Sequence, residues 1–218
     1  MRNTEISKEI QYIRDVFVEE DNLLKKANNY SINYALPINI GPEEGKLLQV
    51  LIGLVDAKTI VEVGTLSAYS TIWLARAIEG EGKVYSFEKN QEYYDLAKEI
   101  VKDSDVENRI DIFQGDAGVS LKKIEDKAPF DMIFIDADKI GYCKYLDWAE
   151  KNIKKGGLIV GDNSLLFGAV CKDELPDGVR KLAKDVMIEF NKRLSDKTKY
   201  KSILLPTKEG MTIAKKLF

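Results

Sequence analysis

The stretch Lys58-Thr59-Ile60-Val61-Glu62-Val63-Gly64-Thr65-Leu66-Ser67-Ala68-Tyr69-Ser70 decides the fold. Thr59 to Val63 is a short run of mostly β-branched residues, which suits a buried strand. Gly64 follows at once, and the spacing from Ser67 to Ala77 predicts a helix. Outward from this strand, turn and helix the same texture recurs. Strands are predicted at 83–87, 110–113, 131–135 and 157–160, with helices at 91–102, 117–124, 140–151 and 179–194. Lys199 to Leu204 and Gly210 to Lys215 form a strand pair with no helix between them. Upstream, residues 3–28 read as one amphipathic helix with Ile6, Ile10, Ile13 and Phe17 on its apolar face, capped by Asn3 or Thr4. Gly41-Pro42-Glu43-Glu44 opens a second helix, and Pro42 suits its first turn. The expectation is an α/β fold: a doubly wound, seven-stranded, mainly parallel sheet with an antiparallel carboxyl-terminal edge hairpin and amino-terminal helices. It reads as a single domain over 1–218, with a helical extension at 1–57 and an α/β core at 58–218.

Composition narrows the chemistry. The 218 residues, 44% hydrophobic and 32% charged, suit one globular domain with a sizeable core. A net charge of -3 leaves no basic excess to neutralise a polyanion, so no nucleic-acid partner is expected. Lys122-Lys123 and Lys154-Lys155 read as solvated faces. No apolar run approaches the roughly 20 residues that span a bilayer. Cys143 and Cys171 make no disulfide framework, and the polar start Met1-Arg2-Asn3-Thr4-Glu5 reads as no signal peptide, so the cytoplasm is the expected compartment. The chain has no histidine. That excludes Ser-His-Asp and Cys-His catalysis, histidine bases and most zinc sites. Acid–base or metal work falls to carboxylates, amides, lysine and tyrosine.

In open α/β sheets ligands sit beyond the carboxyl ends of the strands, so the loops leaving each strand hold the candidates. Gly64 permits a tight turn and a close backbone approach to a ligand; an ordinary turn capped by Ser67 is the other reading. Glu88, about two dozen positions after Gly64, can accept hydrogen bonds from both ribose hydroxyls, or simply be solvated. Asp116 reads as a cap for the helix after it, compatible with an adenine contact from the Asp116-Ala117 turn. The fourth and fifth strands run into Asp136-Ala137-Asp138-Lys139 and Gly161-Asp162-Asn163. Asp136, Asp162 and Asn163 are an all-oxygen set of the kind that Mg2+ or Mn2+ favours, with Ca2+ a further candidate; each acid alone could be a cap. Lys139, beside such a cation in a partly desolvated pocket, could take a proton, or be one surface lysine among many. Tyr142, at helical spacing with Leu146 and Ala149, reads as packing rather than catalysis, though it lies close enough in sequence to line the site.

These residues resemble the cation-dependent class I O-methyltransferases, which include caffeoyl-CoA O-methyltransferases and, more distantly, catechol O-methyltransferase. The likeness runs over nearly the whole chain through Gly41-Pro42-Glu43-Glu44-Gly45, Glu62-Val63-Gly64-Thr65, Tyr69-Ser70, Glu88, Gly115-Asp116-Ala117, Phe134 to Lys139, Asp162-Asn163 and Leu205-Pro206. The resemblance implies a Rossmann-like core that binds S-adenosylmethionine. Glu62, Gly64, Thr65 and Ser70 would surround its methionine part, Glu88 its ribose and Ala117 its adenine, with Ile40, Asp136 and Asp138 also facing the cofactor. It implies that Asp136, Asp162 and Asn163 hold a divalent cation, that Lys139 is the general base, and that the chain forms a homodimer. The implied reaction moves a methyl group from S-adenosylmethionine to a hydroxyl of a small catechol-like or other phenolic acceptor. Ala68 stands where the family commonly has glycine, which a helical backbone there would tolerate. Phe167 and Thr207-Lys208-Glu209-Gly210 also depart from the family pattern, which bears on the substrate rather than on the chemistry. Two other readings stay open at this point: a nicotinamide-dependent oxidoreductase, which lacks the full glycine fingerprint and gives the acidic pairs no task, and a binding protein that keeps the cofactor but not turnover.

Overall fold

The computed structural model describes residues 6–34 and 36–218. In chain order the elements are α1 (Lys8–Phe17), α2 (Asn22–Tyr34), α3 (Pro42–Val55), β1 (Thr59–Val63), α4 (Tyr69–Ala77), β2 (Lys83–Glu88), α5 (Gln91–Val101), β3 (Ile110–Gln114), α6 (Ala117–Ser120), β4 (Phe130–Ile135), α7 (Tyr142–Asn152), β5 (Ile153–Asp162), α8 (Lys181–Leu194), β6 (Tyr200–Leu205) and β7 (Met211–Lys216). The seven strands form one sheet in the order β3-β2-β1-β4-β5-β7-β6. Strands β2 and β3 pair in parallel, as do β1 with β4 and β4 with β5, whereas β7 runs antiparallel to both β5 and β6. The expected class and its edge hairpin are therefore present. Every residue of β4 is buried, as are four of the five in β1, which is why these strands read as mainly apolar, broken only by Asp131 in β4 and by Thr59 and Glu62 in β1.

The chain divides into two compact units. One comprises Met1–Lys58 and Thr65–Gly115; the other comprises Thr59–Gly64 and Asp116–Phe218. In the first, Pro42 opens α3 beside a Glu44 carboxylate that accepts the Gly41 N–H at 2.7 Å, a capping box built without a side chain at the cap itself. In the second, Met132, Ile133, Phe134, Ile159 and Val160 are wholly buried at the centre of the sheet. The buried Asp131 is satisfied there: its carboxylate accepts the Thr59 N–H at 2.7 Å and hydroxyl at 3.0 Å, and Lys154 lies 2.5 Å away.

Two local expectations change. The long helix at 3–28 is two helices, because Val18 turns extended (φ -115°, ψ 128°) and Asp21 caps a fresh start, accepting the Leu24 N–H at 3.0 Å. Ser7 caps α1 through the Ile10 N–H at 3.3 Å, while Asn3 and Thr4 lie outside the described residues. Strand β5 begins at Ile153 rather than near 157, since the register against β4 slips between Phe130 and Met132 and the polar Lys154-Lys155-Gly156 segment is taken into the strand. Among the described residues no helix is long and apolar enough to cross a membrane.

Candidate active site

In the first unit the candidates gather on the turn that leads into α4. Glu88, the last residue of β2, is 8% exposed. Its Oε2 accepts the N–H groups of Thr65 (3.3 Å) and Leu66 (2.9 Å), and its Oε1 accepts that of Asn90 (2.7 Å). Beneath it the Thr65 hydroxyl lies 2.6 Å from that of Ser86. Each carboxylate oxygen has further lone pairs, so the group is held in place by main-chain amides and can still accept from a diol. Ser70 is half-buried in the first turn of α4, and Ile40 is buried immediately before the cap of α3.

The turn itself is not helical at Ala68. That residue is left-handed (φ 60°, ψ 18°), as is Leu66 (φ 51°). The expectation that a right-handed backbone accommodates alanine there is overturned. The Ala68 N–H returns to Thr65 O at 2.8 Å and the Ile72 N–H takes Ala68 O at 2.9 Å. Reversing the chain this tightly between a strand and a helix needs a left-handed step, the conformation glycine adopts without strain. Just beyond, the Tyr69 hydroxyl donates to Glu20 at 2.7 Å, and burial pushes its pKa up, with the bond to Glu20 adding to the rise.

In the second unit Glu62 is fully buried in β1, and Gly64 ends the strand at φ 100°. A methyl group at 64 would stand 2.0 Å from Asp136 O, and the Asp136 N–H donates to Val63 O at 2.9 Å. Glycine is required here because two strand ends approach main chain to main chain. Ala117 is buried in the first turn of α6, which Asp116 caps through the Gly118 N–H at 2.9 Å.

Lys139 and the ends of β4 and β5 meet at one phenol. Lys139 Nζ lies 3.3 Å from Asp136 Oδ1 and 2.7 Å from the Tyr142 hydroxyl. Tyr142 is fully buried, and its oxygen lies 3.0 Å from Ile135 O and 2.8 Å from Asp162 O, the ends of β4 and β5. Burial, then the charges of Asp136 and Asp162, raise its pKa well above the ordinary tyrosine value, so it stays a phenol. Asp162 is fully buried and its Oδ2 accepts from Asn163 Nδ2 at 3.0 Å; Asn163 itself is left-handed (φ 54°). Asp138 caps the turn at 139–141, accepting the Gly141 N–H at 2.9 Å and the Tyr145 hydroxyl at 2.8 Å.

Two carboxylates and an amide are donors of the right hardness for a divalent cation. Among the described residues no group of three or more Asp, Glu, His or Cys side chains could hold one; Asn163 adds an amide carbonyl oxygen to the two carboxylates. That oxygen accepts no hydrogen bond from a described residue, and the cation now beside Asp136 is the Lys139 ammonium. The donor chemistry fits.

Two residues to which the sequence assigned no catalytic role belong to this region. Tyr142 was legible as packing, yet its oxygen is the common partner of Lys139 and two strand ends; the only signal was its place three residues after Lys139. Glu209, buried at 5% exposure, accepts the Phe167 N–H at 3.2 Å. It steadies a loop in which Leu166 (φ 48°) and Phe167 (φ 55°) are both left-handed; the sequence marked Phe167 and 207–210 as departures from the family pattern, with no sign that they meet.

A model of the family described as O-methyltransferase matches residues 14–217. A catechol O-methyltransferase of Niastella koreensis is 39% identical over 162 residues, 73% of this chain and 73% of its own. A caffeoyl-CoA O-methyltransferase of Populus kitakamiensis is 32% identical over 200 residues, 89% of this chain and 85% of its own. Among solved structures, the O-methyltransferase TomG of Streptomyces achromogenes, involved in tomaymycin synthesis and in complex with SAM, superposes with a TM-score of 0.85 at 30% identity, covering 95% of each chain.

Proposed function

The chain belongs to the O-methyltransferase family and is an S-adenosylmethionine-dependent O-methyltransferase, and from that premise we propose that its acceptor is a small phenol, catechol-like first, and that a divalent cation assists the transfer. The acceptor oxygen attacks the sulfonium methyl carbon; the S–CH3 bond breaks with its electron pair left on sulfur, and S-adenosylhomocysteine departs. Lys139, once its ammonium has released a proton to solvent, receives the hydroxyl proton. The sulfonium already activates the methyl group, so the protein's tasks are alignment and relief of charge on the attacking oxygen. Asp136, Asp162 and Asn163 would hold Mg2+ or Mn2+, with Ca2+ a further candidate. When bound, such a cation supplies positive charge that eases loss of the acceptor proton and helps orient the acceptor. The observation that carries this reading is the run of contacts at the ends of β4 and β5: Asp136 to Lys139, Lys139 to the Tyr142 oxygen, that oxygen to Asp162 O, and the Asn163 amide to the Asp162 carboxylate.

The cofactor assignments are part of the proposal: Glu88 for the ribose, Glu62, Gly64, Thr65 and Ser70 for the methionine part, Ala117 for the adenine, and Ile40, Asp136 and Asp138 as further contacts. We take residues 1–218 as one methyltransferase domain, acting as a cytoplasmic homodimer. The exposed apolar side chains Val16 and Phe17 of α1 and the free Cys143 and Cys171 are in keeping with a dimer and a reducing compartment respectively. No observation favours a nicotinamide cofactor.

The test is methyl transfer from labelled S-adenosylmethionine to catechol in the presence of excess chelator. Turnover is expected to vanish and to return with Mg2+ or Mn2+; full turnover in chelator overturns the cation's role, and no turnover on any phenol under any condition overturns the acceptor class.

A further inference from the structure

We propose that Tyr142 is a positioning residue, whose phenol oxygen fixes the Lys139 amino group in the place from which it serves the acceptor. The inference rests on the role given to Lys139 above and adds to it a residue that does not touch the reactants. Lysine carries its nitrogen on a flexible four-carbon stem and needs partners to hold one position. Here it has two, Asp136 Oδ1 at 3.3 Å and the Tyr142 oxygen at 2.7 Å.

The phenol is the more rigid of them. Tyr142 is the first residue of α7, and its ring meets Phe190 edge-on, 5.1 Å between centroids and 77° between planes. Gly161 makes the room: a methyl group there would stand 2.8 Å from the Phe190 ring and 3.5 Å from that of Tyr142. The hydroxyl has one proton, and the carbonyls of Ile135 and Asp162 are both within reach of it. Whichever takes it, the proton is committed to the main chain at the end of β4 or β5, and a lone pair of the oxygen faces Lys139. The phenol therefore acts toward Lys139 only as an acceptor.

The phenol oxygen is referenced to the main chain of two adjacent strands, so the Lys139 nitrogen bonded to it is held relative to the strand ends that carry Asp136 and Asp162.

The experiment is a double-mutant cycle on the full chain, with kcat, the KM for each substrate and the melting temperature read for Tyr142→Phe, Lys139→Met and the pair. Phenylalanine keeps the ring against Phe190 and removes only the oxygen. Tyr142→Phe is expected to lower kcat about 10- to 100-fold with both KM values within about threefold, and Lys139→Met to lower it about 100- to 10,000-fold. In the Lys139→Met background Tyr142→Phe should cost less than about twofold. Wild-type kcat in Tyr142→Phe overturns the inference, as does an undiminished loss when the two changes are combined. Wild-type kcat in Lys139→Met instead overturns the reading of Lys139 itself, and the two failures are thereby distinguishable. Phe190→Leu controls for folding: it loosens the ring's packing and leaves the oxygen, so it should lower the melting temperature while kcat stays within about threefold at a temperature where it is folded. A kcat loss in Phe190→Leu equal to that in Tyr142→Phe would assign Tyr142 a structural role alone.

Discussion

Glu88 and Asp136 are both carboxylates at the carboxyl end of a parallel strand, and they are held in opposite ways. The Glu88 side chain is fixed by three main-chain N–H groups, from Thr65, Leu66 and Asn90. For Asp136 it is the main chain that is fixed, through the N–H bond to Val63 O and the close passage of Gly64, while the side chain meets a lysine ammonium at 3.3 Å. Amides cannot leave, so Glu88 is preorganised and its removal disturbs the turn around it. The Asp136–Lys139 contact is long and joins two side chains, so the carboxylate can take a second cation without disturbing the strand beneath. The first arrangement suits a ligand held the same way in every cycle, the second a group whose surroundings change during one.

The largest effect expected from this contrast is on turnover, from Asp136→Ala. Losing a ligand of the proposed cation and one of the two acceptors that hold Lys139 should lower kcat about 100-fold or more. Stability should change by less than about 1 kcal/mol, since the pair is partly exposed and long. Methyl transfer followed by S-adenosylhomocysteine release, beside a thermal melt, measures both. A melting temperature that falls steeply with turnover intact would break the contrast, because it would make Asp136 structural.

Glu88→Ala should behave in the opposite sense. Three buried or half-buried N–H groups lose their acceptor, each loss worth about 1–3 kcal/mol before water recovers part of it. A net loss of about 2–3 kcal/mol, or roughly 4–12 °C in melting temperature for a chain of this size, is the expected outcome. Affinity for S-adenosylmethionine, read by calorimetry, should fall at least about tenfold, while Glu88→Gln keeps an oxygen for the amides and loses less stability. If Glu88→Ala melts like wild type, the amide cradle is not what holds this end of the chain.

What the sequence made legible, and what it did not, follows from the same physics. The acidic ends of β4 and β5 stood out because both faces of a parallel strand are buried, so the apolar runs Met132 to Ile135 and Leu158 to Val160 lead into a polar group. Asp136 and Asp162 were visible for that reason. Tyr142 was not, because an aromatic ring at helical spacing is identical in pattern whether its oxygen is idle or bonded, and only coordinates show that Ile135 O and Asp162 O lie within reach. The break between α1 and α2 was hidden because Val18 continues the apolar period, and Asp21 acts as a cap only where the chain turns. Strand β5 was read short because Lys154-Lys155-Gly156-Gly157 resembles a turn, whereas the ladder it joins needs only main-chain groups. Glu209 and the left-handed loop at 163–168 left no periodic trace at all.

The smallest effect sharpens the contrast from the side of Glu88, where strain is stored beside the amide cradle. Ala68 is fully buried and left-handed. Glycine there relieves a conformational cost of about 1–2 kcal/mol. It also removes a buried methyl group worth about 0.8 kcal/mol and adds roughly 0.5–1 kcal/mol of entropy to the unfolded chain. These terms nearly cancel, so Ala68→Gly should shift stability by less than about 1 kcal/mol in either direction, a change of a few degrees at most in a melt. Ala68→Val, with a β-branched side chain forced into the same left-handed, enclosed position, should destabilise by more than about 2 kcal/mol. A similar response to both substitutions would mean that the turn adapts its backbone to the residue it carries. The cradle around Glu88 would then be soft, and its difference from the acidic end would lie in the partner groups alone rather than in how firmly the chain presents them.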